Sequence, residues 1–170
     1  MSMDHKAYRL DWRAFDVIVR PVLENALADN DPSTLIELIE SDIASFKDPY
    51  EGEALSTVWL STLENRGVHE IGDFALTRCY DPRENFGLSH AWMQIDDALP
   101  IAIRPALLGQ ALGPCGCVFD PGRQGSYFQS PSELKQSLKL LKRYSQHVPA
   151  EYLERLALVA ADDRGLYVTF

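Results

Sequence analysis

What this chain of 170 residues lacks narrows it quickly. Cysteine is scarce: only Cys79, Cys115 and Cys117 occur, an odd and low count that argues against a disulfide framework and fits a reducing compartment. No apolar run approaches the roughly 18 residues a membrane helix needs. The first ten residues carry Asp4, His5, Lys6 and Arg9 with no apolar stretch between them, so nothing there resembles a secretory signal. A cytoplasmic location is the expectation. Basic residues are outnumbered, 16 against 25 acidic ones, for a net charge of −9. Such a surface repels phosphate backbones, so neither nucleic acid nor a membrane is an expected partner. There is no internal repeat, low-complexity tract or linker, and 1–170 is expected to be one globular domain with a core of ordinary size.

Complete catalytic and metal motifs are also missing. Cys115-Gly116-Cys117 is half a metal site, and neither Cys79 nor the four histidines supply a second pair at ligand spacing. His69-Glu70 lacks the following histidine of a zinc-protease helix. The glycines of Asp120–Ser126 do not end in Gly-Lys-Ser/Thr on a helix, so a phosphate loop is not indicated and a hairpin turn is the better reading. Ser126, His90 and an aspartate make a triad only on paper, because no Gly-x-Ser-x-Gly elbow exists. Asp96-Asp97 and Asp162-Asp163 are neighbours whose side chains diverge, not carboxylate dyads. No metal and no cofactor are expected, and the balance leans away from an enzyme.

What is present is strongest from Cys115 to Tyr144. Val118-Phe119 reads as a short strand, Asp120-Pro121-Gly122 as a turn and Ser126 to Gln129 as a second strand. Ser130, Pro131 and Glu133 then form a capping box at the start of a helix that buries Leu134, Leu138, Leu141 and Tyr144. Its outer face, with Lys135, Lys139, Lys142 and Arg143, is a solvated face or a partner for the acids of 29–53.

Upstream, Met1 to Leu10 reads as a frayed start. Asp11 caps a helix with the stripe Trp12, Phe15, Val19, Val22 and Ala26, kinked or broken at Pro21. A second helix from Asp31 or Ser33 buries Leu35, Leu38, Ile39, Ile43 and Phe46 and ends at Lys47-Asp48-Pro49. A third is expected over 51–65, capped by Gly67 and antiparallel to the second. Val68 to Tyr80 fits helical and strand periods alike, and the reading here is a helical or irregular entry followed by a strand over 73–79. Further helices are expected through Leu88, Trp92, Ile95 and Leu99, from Arg104 to Leu112, and from Pro149 through Tyr152, Leu153, Leu156 and Val159. Leu166 to Phe170 closes the chain as a strand. The fold class is α+β, mostly helical, with about seven helices and a small sheet of three to four short strands built from the C-terminal half.

The charge is uneven. Residues 1–100 hold 19 acids and 8 bases, whereas residues 101–170 hold 6 and 8. Between Asp29 and Glu53 there are eight acids and one lysine. The helical period turns Glu37, Glu40 and Asp42 outward, with Asp48, Glu51 and Glu53 near the adjoining turn. These six are the expected contact residues for a basic protein partner. In type the chain resembles the small, acidic, cytoplasmic bacterial proteins that bind and neutralise toxins. That resemblance implies an immunity or antitoxin role, with a toxin as the basic partner, and a homodimer is compatible with it. The competing expectation is a small enzyme or ligand-binding domain with a pocket near His90, Asp120, Arg123 and Tyr127, since loops on rigid elements often carry function.

Overall fold

A computed structural model describes residues 3–170. Among them the chain forms seven helices and three strands, an α+β arrangement. The strands are β1 (Lys6–Leu10), β2 (Ser126–Gln129) and β3 (Gly165–Thr169). They make one antiparallel sheet in the order β1-β3-β2. The strand last in sequence is therefore central in space, which explains its unbroken Leu-Tyr-Val run: Leu166, Tyr167 and Val168 are all at or below 1% exposed.

Side-chain alternation sends the sheet's two faces to two separate cores. Tyr8, Leu10, Phe128 and Tyr167 point to one, and Ala7, Leu166, Val168 and Tyr127 to the other. The register enforces this, pairing Tyr8 with Tyr167 and Tyr167 with Phe128, while Ala7 and Tyr127 flank Val168. A one-residue slip would exchange the faces of a whole strand.

The first core is covered by the N-terminal half. Helix α1 spans residues 12–29. Asp11 caps it, its carboxylate accepting from the Ala14 N–H at 3.2 Å. Pro21 has no N–H, and its ring would press on the carbonyl four residues back. The helix accommodates it without breaking: Phe15–Val19 is a π-helical turn, and the Arg20 N–H reaches back five residues to the Phe15 carbonyl. Asn30, left-handed at φ 51°, ends the helix. Helix α2 (Ser33–Ser41) and helix α3 (Val68–Leu76) complete the layer. An aromatic column runs through it: Phe15 stacks on Phe128 at 4.8 Å between centroids, and Phe128 on Tyr167 at 5.0 Å.

The second core is covered by α4 (Trp92–Ala98), α5 (Arg104–Leu108), α6 (Pro131–Leu141) and α7 (Ala150–Ala161). Ser130 and Glu133 form the full capping box, the Glu133 N–H donating to Ser130 Oγ and the Ser130 N–H to Glu133 Oε2. Leu134, Leu138 and Leu141 of α6 are buried, and Tyr144 is half-buried.

Both outer edges of the sheet are occupied. Along β1, the Ala7 N–H donates to Asn85 Oδ1, the Phe86 N–H donates to the Ala7 carbonyl, and His5 and Ser89 exchange backbone bonds. Along β2, Gln110 and Phe128 do the same.

Several expectations are corrected. The stretch read as a frayed start is a paired strand from Lys6 onward, held by tertiary hydrogen bonds that local pattern does not reveal; Met1 and Ser2 lie outside the described residues. Residues 51–65 form no α-helix, only a 3-10 turn at Trp59–Thr62. Asp48 accepts from the Tyr50 and Glu51 N–H groups, Gly52 takes φ +70°, and the Ser61 and Thr62 hydroxyls bond nearby carbonyls, so local polar bonds replace the helical ladder. Gly67 consequently starts α3, and α2 packs on α3 instead of on a third amphipathic helix. No strand forms at 73–79. Helix α3 is buried on nearly every side, from Val68 through Ile71 to Leu76, so its apolar residues matched both periods. Phe119 is fully buried, but Val118-Phe119 is not a strand, and the turn after it is not a hairpin. Helix α2 stops at Ser41, before Lys47. Helix α5 stops at Gly109, whose φ of 108° brings the backbone against Phe128, where a Cβ would strike the carbonyl oxygen.

Replacing Ser130 with alanine removes the side-chain half of the capping box and should lower unfolding free energy by about 1 kcal/mol in urea titration, with an unchanged slope.

Candidate functional site

The six acidic residues read as a partner face divide into two groups. Asp42 bonds Ser45 Oγ at 2.6 Å and pairs with Arg78 at 3.3 Å. Asp48 holds the turn described above, and Glu53 pairs with Arg83. These three carry internal structure. Glu37, Glu40 and Glu51 are exposed, and among the described residues their carboxylates make no ion pair. On the segment 50–58, which carries Glu51, Tyr50 and Val58 are 66% and 60% exposed. Tyr50 is not loose: its ring meets Phe74 of α3 edge-on at 6.5 Å. Partial burial and the nearby Asp73 push its hydroxyl up to about 12, so it stays a neutral donor. The layer thus presents uncompensated negative charge together with an anchored aromatic ring.

The alternative pocket is distributed over structural jobs. Asp120 Oδ1 accepts the Gln124 and Gly125 N–H groups, and the Asp120 N–H donates to His69 Nδ1. Arg123 is exposed at φ 59° in that turn. Tyr127, half-buried on β2, packs toward the second core. His90 is exposed in the turn that leads into α4. None of the four lines any of the five principal clefts.

Two titratable groups missed by pattern reading are buried. Asp73, on α3, is 9% exposed. Desolvation, then the nearby Glu70, raises its carboxyl to about 7. His5 is fully buried, accepting the Leu88 N–H at Nδ1 and stacking on Trp92 at 5.2 Å. Among the described residues its Nε2 has no hydrogen-bond partner, and burial lowers its pKa to about 4. An aspartate inside a helix and a histidine near a chain start carry no periodic signal for such environments. Cys79 is buried and its thiol is pushed up to about 12, whereas Cys115 and Cys117 are exposed. Among the described residues no group of three or more His, Cys, Asp and Glu side chains is placed to hold a metal ion. No helix among them is long and apolar enough to cross a membrane.

The largest principal cleft, about 540 Å³, lies between the loop 83–86 and α7. It draws Arg9, Arg83 and Arg155 together from segments far apart in sequence, which is why no motif announced it. Lys135, on the basic face of α6, pairs with Asp163 and not with the acidic helices.

Comparison with protein-family models, characterised proteins and solved structures returns no significant match.

Two measurements test these environments. Between pH 3.8 and about 7 the native state keeps a proton on Asp73 that the unfolded chain releases, so stability present in acid is lost as pH rises through this window. Asp73→Asn should therefore stabilise the protein, by a margin that widens with pH and levels off above about 7 in parallel denaturant titrations. With a chromogenic disulfide reagent, the native protein should expose two fast thiols, Cys115 and Cys117, and release Cys79 only on unfolding.

Proposed function

We propose that the protein is a non-enzymatic acidic binding protein that recognises a basic protein partner, in the manner of a bacterial immunity or antitoxin protein acting on a toxin in the cytoplasm. The observation that carries this reading is that Glu37, Glu40 and Glu51 are exposed and make no ion pair among the described residues, while Tyr50, next to Glu51 in the chain, is exposed and meets Phe74 edge-on. Free carboxylates raise the association rate with a basic surface, and a fixed aromatic ring supplies contact area at little entropic cost. The balance of −11 over residues 1–100 extends the same field.

The internal ion pairs decide how this is tested. Asp42 holds Arg78, so reversing its charge would disturb the fold as well as the face. Glu37→Lys with Glu40→Lys leaves every ion pair of the described residues intact. A partner isolated from source-cell extract should bind the wild type strongly at low salt and weakly at high salt. The double variant should associate at least about tenfold more slowly at low salt with little change in dissociation. Tyr50→Ala should act mainly on dissociation. Unchanged association by a correctly folded double variant would reduce the acidity to a solvated surface.

A further inference from the structure

The cleft between the loop 83–86 and α7 has two uncommitted charges of opposite sign. Arg9 is held by Asp162 at 3.0 Å, and Arg83 is held by Glu53. Arg155, on the exposed side of α7, and Glu84, on the loop, also line the cleft, yet neither makes an ion pair among the described residues. Glu151 stands one helical turn before Arg155 and does not engage it either. Exposed charges of opposite sign that line one cleft without meeting form a dipole open to a ligand carrying the complementary pair.

The walls add to this. Phe86 and Leu158 line the same space, Leu158 at 61% exposure, so an apolar surface lies beside the two charges. Asn85 is fixed, because its Oδ1 accepts the Ala7 N–H at 3.0 Å and the Gly87 N–H at 2.9 Å. Asn85 also lines the cleft, and its Nδ2 group makes no hydrogen bond among the described residues and can act as a neutral donor. The Phe86 N–H is tied to Ala7 of β1, so the loop is anchored to the sheet and the site is pre-formed.

We propose that this cleft binds a small zwitterion with an apolar side chain, an amino acid of the phenylalanine or leucine type. The carboxylate is taken by Arg155, the ammonium by Glu84, and the side chain lies against Phe86 and Leu158. A singly charged anion leaves Glu84 unneutralised, and an apolar cation leaves Arg155 so. The volume of about 540 Å³ accommodates such a molecule and lies within the usual range for small-molecule pockets.

The test uses L-phenylalanine, N-acetyl-L-phenylalanine, which lacks the ammonium, and L-phenylalaninamide, which lacks the carboxylate. Binding is followed by NMR through the side-chain amide of Asn85 and by calorimetry. L-phenylalanine should give saturable shifts at Asn85, Phe86 and Leu158, and each derivative should bind about tenfold or more weakly, the worth of one charge-assisted hydrogen bond. Arg155→Gln should abolish the preference for L-phenylalanine over the amide. Glu84→Gln should abolish its preference over the acetyl derivative. Both positions are exposed, so an unchanged thermal midpoint verifies the fold of each variant. Absence of saturable shifts, or equal binding of the three compounds, would overturn the proposal; so would a preference that survives both substitutions.

Discussion

The pairing of β1 with β3 is the contact on which the rest depends. It joins Lys6–Leu10 to Gly165–Thr169, the most distant pairing in the sequence among the strands. Until it forms, neither half of the chain has a finished floor for its core. Once it forms, Tyr167 has Tyr8, Tyr80 and Phe128 around it on one side, and Val168 has Ala7 beside it on the other. Closing so long a loop is entropically costly, and the return is that two hydrophobic clusters are completed at once. The Tyr167 ring is fully buried, and that burial raises its hydroxyl well above the ordinary tyrosine range.

Local grammar made part of this legible. The Asp11 cap, the Asn30 stop, the Ser130 box and the closing strand all rest on interactions within a few residues, and such signals survive in a single sequence, whereas Pro21, read as a kink or break, is absorbed by a π-helical turn. The failures share a different cause. Lys6–Leu10 becomes a strand because of a partner some 160 residues away. Helix α3 looked ambiguous because burial on almost every side erases the amphipathic stripe that marks a helix. The segment 51–65 has helical spacing, yet Asp48, Ser61 and Thr62 offer its backbone better local partners.

The sites divide in the same way. Outward orientation of Glu37 and Glu40 followed from the helical period, and the structure places both on the exposed face of α2. Which acids were already committed did not follow, because Arg78 and Arg83 reach Asp42 and Glu53 from across the fold. The two buried ionisable groups show the same dependence on tertiary context, with opposite consequences. Asp73 withdraws stability as pH rises from 3.8 toward about 7. His5, buried neutral, withdraws it as pH falls from 6.5 toward about 4. Their windows overlap, so each masks the slope of the other in the intact protein.

The covered sheet edges constrain how any partner can be engaged. With Asn85, Phe86 and Ser89 bonded along β1 and Gln110 along β2, the main-chain groups that an incoming strand would need are already taken at those positions. Strand addition, the commonest route by which small sheets polymerise or capture extended peptides, is blocked on both flanks. A molecule approaching the sheet at those positions would meet loop side chains in place of free main-chain groups, so charge and shape, not backbone adhesion, would decide whether it stays.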